Sequence, residues 1–295
     1  MGKDAHPTQE NRMKVDSLSS TELIELVHEN ALPFFQPIVG GESSVVSYEA
    51  LGRLVFHGKV LTPNEFLPAL VRAQVVQDFD FALLACVIKQ VGAWTEGVGN
   101  THVHVNASLE TLRSLSYLHL VKELLKTHRV PPHCLTIEIV EGKSFWDDPE
   151  VCEVLRGLRQ FGVALAIDDF PNWDDPSKLL AWLSNTPLRI RTLKFDRQFI
   201  QDLCRERVTG GPVTQAAFEY MAFAHHNGIT CVAEGVETES DLAFAALLGF
   251  DRFQGNIVGQ PESAHRAFHT ILDLSLTSHV IHESISDRMR RARII

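Results

Sequence analysis

The sequence lacks several features that would assign it to broad classes of protein. Its five cysteines contain no CxxC pair and show no spacing typical of a disulfide framework. No run reaches the roughly 18 uninterrupted apolar residues that a membrane span needs. The N-terminal segment MGKDAHPTQENRMK has no apolar core of the kind found in signal peptides. We therefore expect reduced thiols, no membrane span and a cytoplasmic location.

An excess of positive charge is also missing. The chain has 27 Lys and Arg against 37 Asp and Glu, which gives a formal net charge of −10. This balance argues against a surface that holds long nucleic acid through its phosphates. A small anionic ligand in a local basic or metal-bearing pocket is compatible with the composition.

No low-complexity segment, linker or internal repeat divides the 295 residues. We expect a polar N-terminal tail over 1–19, one domain over 20–272 and a C-terminal extension over 273–295. The extension ends in the basic run RMRRARII. It is interpreted as a solvated helix or tail, with a contact to a partner protein or a second copy as the alternative.

Strand-like and helical segments alternate regularly along the chain. Amphipathic segments such as PEVCEVLRGLRQFG (149–162) separate short runs rich in β-forming residues. This alternation predicts an α/β fold, namely a TIM-like (β/α)8 barrel. The predicted strands begin at residues 34, 44, 101, 135, 163, 188, 228 and 251.

Nearly every predicted strand ends, at its C-terminal side, on a residue that can bind a metal or a phosphate. In a barrel these ends converge on one rim, where active sites of this fold lie. Carboxylate and amide oxygens suit Mg²⁺ or Mn²⁺, and so many carboxylates would repel one another without cations. The residues are Glu49, Asn106, Glu138, Asp168, Asp169, Lys194, Glu234 and Gln254, with Glu141 following Glu138.

Two divalent ions that share Asp168 would relieve this repulsion. Such ions would also suit an in-line phosphodiester displacement, because they lower the pKa of a water and, together with Lys194, stabilise charge on the phosphate. The sequence therefore favours metal-dependent phosphodiester hydrolysis over acyl transfer or simple proton transfer.

Each residue also has a purely structural interpretation, and for any one residue this alternative stays open. Taken together, these alternatives require eight coincidences at strand ends. His102 and His104, in the run HVHV, are interpreted as histidines that pack the barrel. The other structural alternatives are an i, i+4 ion pair of Glu49 with Arg53, a capped turn at Asp168 and Asp169 before Pro171, an N-cap at Asn106 and a structural pair of Lys194 with Glu138.

The same residues carry a resemblance to a known family. Eight motifs follow one another between about residues 20 and 270: FFQPIV, YEALGR, VHVNAS, LTIEIVE, AIDDF, LKFDRQFI, VAEGVET and QGNIVGQP. With them the chain resembles the EAL domain family, the cyclic di-GMP phosphodiesterases of bacteria. A lone Glu-Ala-Leu would not be specific, whereas eight ordered motifs are.

The resemblance implies an EAL-type barrel that hydrolyses cyclic di-GMP to linear pGpG with two Mg²⁺ or Mn²⁺ ions. Lys194 would orient the nucleophilic water, and Glu234 is the alternative proton acceptor. By matching motif, the residue roles would be as follows: Glu49, Asn106, Glu138 and Asp168 at one ion; Asp168, Asp169 and Glu234 at the second; Glu49, Lys194 and Glu234 in catalysis; Arg53 at a substrate phosphate; Gln254 at the water or behind the site; Gln36 and Asp80 at guanine; and Glu141 steadying a loop.

The chain departs from the family after AIDDF, where the family has Gly-Thr-Gly-Tyr-Ser-Ser and this chain has PNWDDPSKLLAW. Pro171 fixes φ and removes a backbone donor, so a stiffer loop is expected. Asn256 also stands where the family has an aromatic residue.

These departures favour an alternative function, a weak or inactive EAL domain that acts as a cyclic di-GMP receptor or a protein-interaction module. A third candidate function, a two-metal hydrolase of another phosphodiester, fits the carboxylates but not the motifs. We also expect a homodimer and a regulatory protein partner.

Overall fold

Eight strands close into a barrel in the computed structural model, which describes residues 15–40, 45–140, 145–172, 176–206 and 209–276. Two further short strands lie beside the barrel. The strands of the described residues are β1 Ala31–Gly40, β2 Val45–Phe56, β3 Lys59–Leu61, β4 Val103–Ala107, β5 Leu135–Ile139, β6 Ala164–Phe170, β7 Thr192–Phe195, β8 Thr230–Ala233, β9 Arg252–Phe253 and β10 Glu262–Ser263.

Helices follow most of these strands and cover the outside of the barrel. Their bounds in the described part of the chain are Ser20–Asn30, Pro63–Ala73, Val76–Val98, Leu109–Leu112, Leu115–Thr127, Pro149–Phe161, Pro176–Asn185, Arg197–Glu206, Pro212–His226, Glu239–Leu248 and Ala264–Leu276, with short 3₁₀ turns at Pro132–Cys134 and Phe145–Asp147.

The order around the barrel is β1-β2-β4-β5-β6-β7-β8-β9, and β9 pairs with β1 to close it. The strands from β2 to β9 in this order are parallel, whereas β1 is antiparallel to both β2 and β9. Only residues 41–44 separate β1 from β2, and so short a connection cannot make the crossover that parallel neighbours need. The predicted TIM-like barrel is confirmed, with one strand reversed.

The helix Pro149–Phe161 illustrates how local sequence sets the outer layer. The Asp148 side chain accepts hydrogen bonds from two backbone amides of the first turn, and Pro149 occupies the first helical position. The helix ends at Gly162, whose φ of 103° is a left-handed conformation that suits glycine. Its apolar face is buried, so the helix holds the strands behind it in place.

The interior of the barrel is polar, whereas its outer face is apolar. Side chains alternate between the two faces of a strand. In β4, Val103 and Val105 are fully buried in the apolar core. His104 and Asn106, between and after them, bond to carboxylates inside the barrel. The same alternation in the other strands produces a column of polar groups along the barrel axis.

Two strand boundaries differ from the predictions. Glu49 does not end its strand, since β2 continues to Phe56. The ladder from β2 to β4 nevertheless runs only from Tyr48 to Ala50, because beyond this point β2 leaves the barrel wall and forms a hairpin with β3. The eighth predicted strand is short, and Gln254 follows its last residue, Phe253.

The expected tails overlap the packed structure. Val15 is fully buried in the core, and Asp16 lies 2.5 Å from the Arg72 guanidinium. The segment from residue 15 to 19, expected as tail, therefore packs against the domain. The last described helix, Ala264–Leu276, crosses the boundary expected after residue 272. The domain limits otherwise stay a prediction.

Candidate active site

The Lys194 ammonium lies at the centre of the C-terminal mouth of the barrel. Its side chain is 1% exposed, so the surrounding carboxylates replace water as its partners. They come from four different strands or the residues that follow them. The distances from Nζ are 2.6 Å to Glu234 Oε1, 2.8 Å to Glu138 Oε2, 3.1 Å to Asp168 Oδ1 and 3.2 Å to Glu49 Oε2.

The carboxylates form two clusters that share one residue. Glu49, Glu138 and Asp168 place one oxygen each within 4.8 Å of one another, and so do Asp168, Asp169 and Glu234. Asp168 belongs to both groups. The structure thus brings together the five acidic residues expected at the metal ions, with a shared residue where the sequence predicted one.

A β-bulge at the end of β6 makes the second cluster possible. In a regular strand, Asp168 and Asp169 would point to opposite faces. Between Ile167 and Phe170 the register with β7 shifts by one residue, and Asp169 has a left-handed φ of 51°. An extra residue of this kind redirects the side chain next to it. Both carboxylates therefore reach the same mouth of the barrel.

Two amide side chains hold Glu49 from either side. Asn106 donates from Nδ2 to Glu49 Oε1 at 2.8 Å, and Gln254 donates from Nε2 to Glu49 Oε2 at 2.6 Å. Gln254 Nε2 also lies 3.1 Å from Gln36 Oε1, and Gln36 pairs with Glu49 across the β1–β2 ladder. Gln36 thus supports the first cluster through Gln254, and its expected contact with guanine stays a prediction.

Burial and charge shift the titration of these groups in opposite directions. Burial raises the pKa of Glu138 well above its ordinary value, and the neighbouring carboxylates add to this effect. Burial would also raise the pKa of Glu49, but Lys194 and the amides of Gln254 and Asn106 outweigh it and lower the pKa. Glu49 is therefore held as an anion.

Lys194 remains charged despite its burial. Burial alone would lower the pKa of the ammonium, but the surrounding carboxylates outweigh it and hold the pKa well above its usual range. Burial is likewise the main cause that raises the pKa of Asp168 and of Glu234. The cluster thus contains more acidic groups than its single buried ammonium can neutralise.

His104 is a member of the site that the sequence interpretation missed. Its Nδ1 lies 2.8 Å from Glu138 Oε1, and the side chain is 1% exposed. Burial lowers the pKa of His104 well below its usual range, so a neutral ring lies against the Glu138 carboxyl group. The alternation HVHVN carried a signal, because it places His104 on the same strand face as Asn106.

The donor set fits hard divalent cations. The mouth offers carboxylate and amide oxygens, which suit Mg²⁺ or Mn²⁺, and no sulfur ligand lies in the two clusters. Asn106 Oδ1 is buried and has no hydrogen-bond partner among the described residues. A buried acceptor of this kind costs about 1–3 kcal/mol unless something binds it. The two carboxylate clusters could therefore each hold a metal ion.

The remaining expected site residues have varied surroundings. The Arg53 guanidinium is half-buried, donates to the Gly52 carbonyl at 2.8 Å and lies 5.3 Å from the centroid of the Phe34 ring. Asp80 Oδ2 accepts from Ser108 and from Thr111, so this oxygen anchors the segment after β4. The contact of Arg53 with a phosphate and of Asp80 with guanine stay predictions.

Two other expectations fall outside the described residues. Glu141, expected to steady a loop, is one of them. The second is the stiffer loop expected where the chain departs from the family pattern, because residues 173–175 of this segment lie outside the described residues. The helix that follows them begins at Pro176. Neither expectation is tested by the structure.

Comparison with known proteins identifies the family. A family model described as the EAL domain matches residues 22–261. The chain belongs to the EAL domain family. This confirms the resemblance drawn from the eight motifs.

Two curated proteins are similar to this chain in sequence. The bifunctional diguanylate cyclase/cyclic di-GMP phosphodiesterase MucR of Pseudomonas aeruginosa is 25% identical over 92% of this chain and 39% of its own length. The probable cyclic di-GMP phosphodiesterase PdeA of Escherichia coli is 26% identical over 78% of this chain and 30% of its own length. The chain thus spans well under half the length of these relatives.

A solved EAL structure confirms the fold independently. The PaMucR phosphodiesterase in complex with c-di-GMP has a TM-score of 0.73 and 25% sequence identity, and the match covers 84% of this chain and 98% of that one. Among the described residues, no helix has the length and apolarity that crossing a bilayer would require.

Proposed function

We propose that this EAL domain is a divalent-metal-dependent phosphodiesterase that hydrolyses cyclic di-GMP to linear pGpG. The observation that carries the proposal is the pair of carboxylate clusters that share Asp168 and surround Lys194. The family and the names of the relatives supply the substrate class, and the carboxylates supply the chemistry.

Each cluster would hold one ion. Glu49, Asn106, Glu138 and Asp168 would hold the first, and Asp168, Asp169 and Glu234 the second. When bound, the ions would supply Lewis acidity, which activates a water and stabilises charge on the phosphate.

The residues of the chain would then orient and protect the reacting groups. Lys194 would keep Glu138 and Glu234 in place and would donate to the attacking water or to a phosphate oxygen. Glu234 is the proposed proton acceptor, because it is 17% exposed and thus the most accessible of the four carboxylates that contact Lys194. Arg53 would bind a phosphate oxygen of the substrate, since its guanidinium is suited to that contact.

The test is to incubate purified protein with cyclic di-GMP and Mn²⁺ or Mg²⁺ and to follow pGpG by chromatography. We expect Glu49→Gln to lower turnover by at least about 100-fold, because this change removes a ligand charge without changing its size. Glu123→Gln is the matched control, since Glu123 lies in an exposed ion pair on an outer helix, and it should leave turnover unchanged. Absence of pGpG with both metals would overturn the proposal.

A receptor without turnover is the second candidate. Its support is the replacement of a glycine-rich segment by PNWDDPSK after Asp169, next to the second carboxylate cluster. A receptor would bind cyclic di-GMP in a calorimetric titration but would form no pGpG with either metal. Product formation that depends on Glu49 would exclude this candidate.

A further inference from the structure

A second polar cavity opens at the opposite, N-terminal mouth of the barrel. It has a volume of about 310 Å³. Its lining residues lie at or just before the first residues of β4 to β9, whereas the carboxylate clusters lie where these strands end. The cavity therefore opens at the end of the barrel opposite the carboxylate clusters, and His104 lies between the two. The basic residues that line it are His102, His104, His133, Arg159, Arg191 and Arg252.

The cavity concentrates positive charge in a chain whose net charge is −10. Three arginines line it, and no Asp or Glu is among its lining residues. Burial lowers the pKa of Arg159 because it removes water from the charged guanidinium, and the positive charges of Arg191 and Arg189 lower this pKa further. Burial also lowers the pKa of Arg252, and Asp251 opposes this only in part. Like charges held this close indicate a site for a negatively charged ligand.

One of the three arginines, Arg159, is positioned before any ligand arrives. Arg159 donates from Nε to the Leu188 carbonyl at 2.9 Å and from Nη1 to the Val163 carbonyl at 3.0 Å. These bonds fix the plane of the guanidinium and leave Nη2 for a ligand. Arg252 is half-buried and is the first residue of β9. The pre-organisation of Arg159 lowers the entropy lost on binding.

A buried polar atom provides a second, independent observation. His104 lines the cavity, and its side chain is 1% exposed. While Nδ1 contacts Glu138, Nε2 is buried and has no hydrogen-bond partner among the described residues. A water or a hydrogen-bonding group of a ligand would satisfy this buried nitrogen.

We propose that the N-terminal cavity binds a small phosphate-bearing anion through Arg159, Arg191 and Arg252. Guanidinium groups match the oxygens of a tetrahedral oxyanion and can bind them in pairs. Three guanidinium groups together suit a ligand that carries two negative charges. The volume lies near the lower limit of small-molecule sites, so the cavity fits free phosphate or a small phosphomonoester rather than a cyclic dinucleotide.

The test is calorimetric titration of the metal-free protein, kept in chelator, with inorganic phosphate at constant ionic strength. We expect one phosphate to bind per chain, and Arg191→Gln and Arg252→Gln each to weaken binding by about tenfold or more. Arg156→Gln is the matched control, because Arg156 is exposed on the helix that carries Arg159, and it should bind like the wild type. Melting temperatures of all variants verify that they fold.

Phenyl phosphate in the same titration distinguishes the two sources of the ligand. Binding of both compounds assigns a phosphomonoester, and binding of inorganic phosphate alone assigns the free ion. Failure of the wild type to bind either compound at millimolar concentration would overturn the proposal, and so would equal weakening by Arg156→Gln. Weakening by Arg53→Gln instead of Arg252→Gln would place the phosphate at the catalytic mouth. This test needs no turnover, so its result is independent of the proposed phosphodiesterase activity.

Discussion

Lys194 shows how much of the site depends on one residue. Its ammonium is buried and contacts four carboxylates. Removal of one partner from a buried ionic cluster leaves the others without compensation and typically costs about 3–5 kcal/mol.

We therefore expect Lys194→Met to lower the free energy of unfolding of the metal-free protein by about 3 kcal/mol. Mn²⁺ should recover much of this loss, because the ions would neutralise the same carboxylates, whereas turnover should stay below about one hundredth of the wild type. Urea unfolding with and without Mn²⁺ measures the effect. Lys126→Met, which removes an exposed partner of Glu123, should change stability by less than about 0.5 kcal/mol. Equal effects of the two variants would refute the role given to Lys194.

His104 acts one step behind the expected metal ligands. A histidine that bonds to a metal-ligating carboxylate is the kind of supporting contact whose loss weakens metal binding by about 10–100-fold. We expect His104→Leu to raise the Mn²⁺ concentration needed for half-maximal turnover by about this factor, with a smaller fall in kcat at saturating Mn²⁺. His104→Gln retains a donor and should recover part of the affinity. A fall in kcat with unchanged Mn²⁺ dependence would show that His104 does not position Glu138.

At the scale of elements, the bulge in β6 decides whether two adjacent aspartates can share a site. The sequence shows the Asp-Asp pair, but a regular strand would separate their side chains. Nothing in the letters AIDDF indicates a left-handed residue, because the bulge depends on pairing with β7. The sequence could therefore predict the donors of the second cluster but not the backbone that unites them.

This geometry predicts different effects for two substitutions of Asp169. Asparagine tolerates a positive φ, so Asp169→Asn should retain the melting temperature and weaken Mn²⁺ binding. Asp169→Val should also destabilise the fold by about 1–2 kcal/mol, because a β-branched residue is disfavoured at a φ of 51°. The melting temperatures of the two variants, measured in the presence of chelator, distinguish these effects on stability. Equal stability of both variants would show that the bulge is not strained by the side chain at 169.

The turn after β9 is a second element that the site requires. A Cβ added at Gly255, where φ is 155°, would lie 2.1 Å from the Val236 carbonyl oxygen. We expect Gly255→Ala to cost about 2–3 kcal/mol and to displace Gln254 from Glu49. Gly58→Ala is the control, because Gly58 also has a positive φ but has no atom within 4 Å of the added Cβ. Chemical unfolding should show a smaller loss for Gly58→Ala, and a loss as large as that of Gly255→Ala would contradict the close-approach argument.

At the scale of the whole molecule, the alternation of strands and helices was sufficient to predict a barrel. Periodicity alone carries no information on strand direction, but the few residues between the first two predicted strands were a signal that β1 runs backwards, because parallel neighbours need a longer crossover. The polar residues expected at one rim do lie together, since parallel strands end on the same side. The column of polar groups that continues through His104 to the N-terminal cavity was not predicted, because His102 and His104 were interpreted singly as packing residues and the arginines lie far apart in sequence.

The proposed function requires that the five carboxylates form two metal sites joined by Asp168. The most direct measurement is the number of Mn²⁺ ions bound per chain, counted by electron paramagnetic resonance during a titration of wild type, Asp169→Asn and Asp168→Asn. We expect two ions for the wild type, one for Asp169→Asn and none held tightly by Asp168→Asn. A single ion in the wild type, or one ion retained by Asp168→Asn, would overturn the assignment of two joined metal sites.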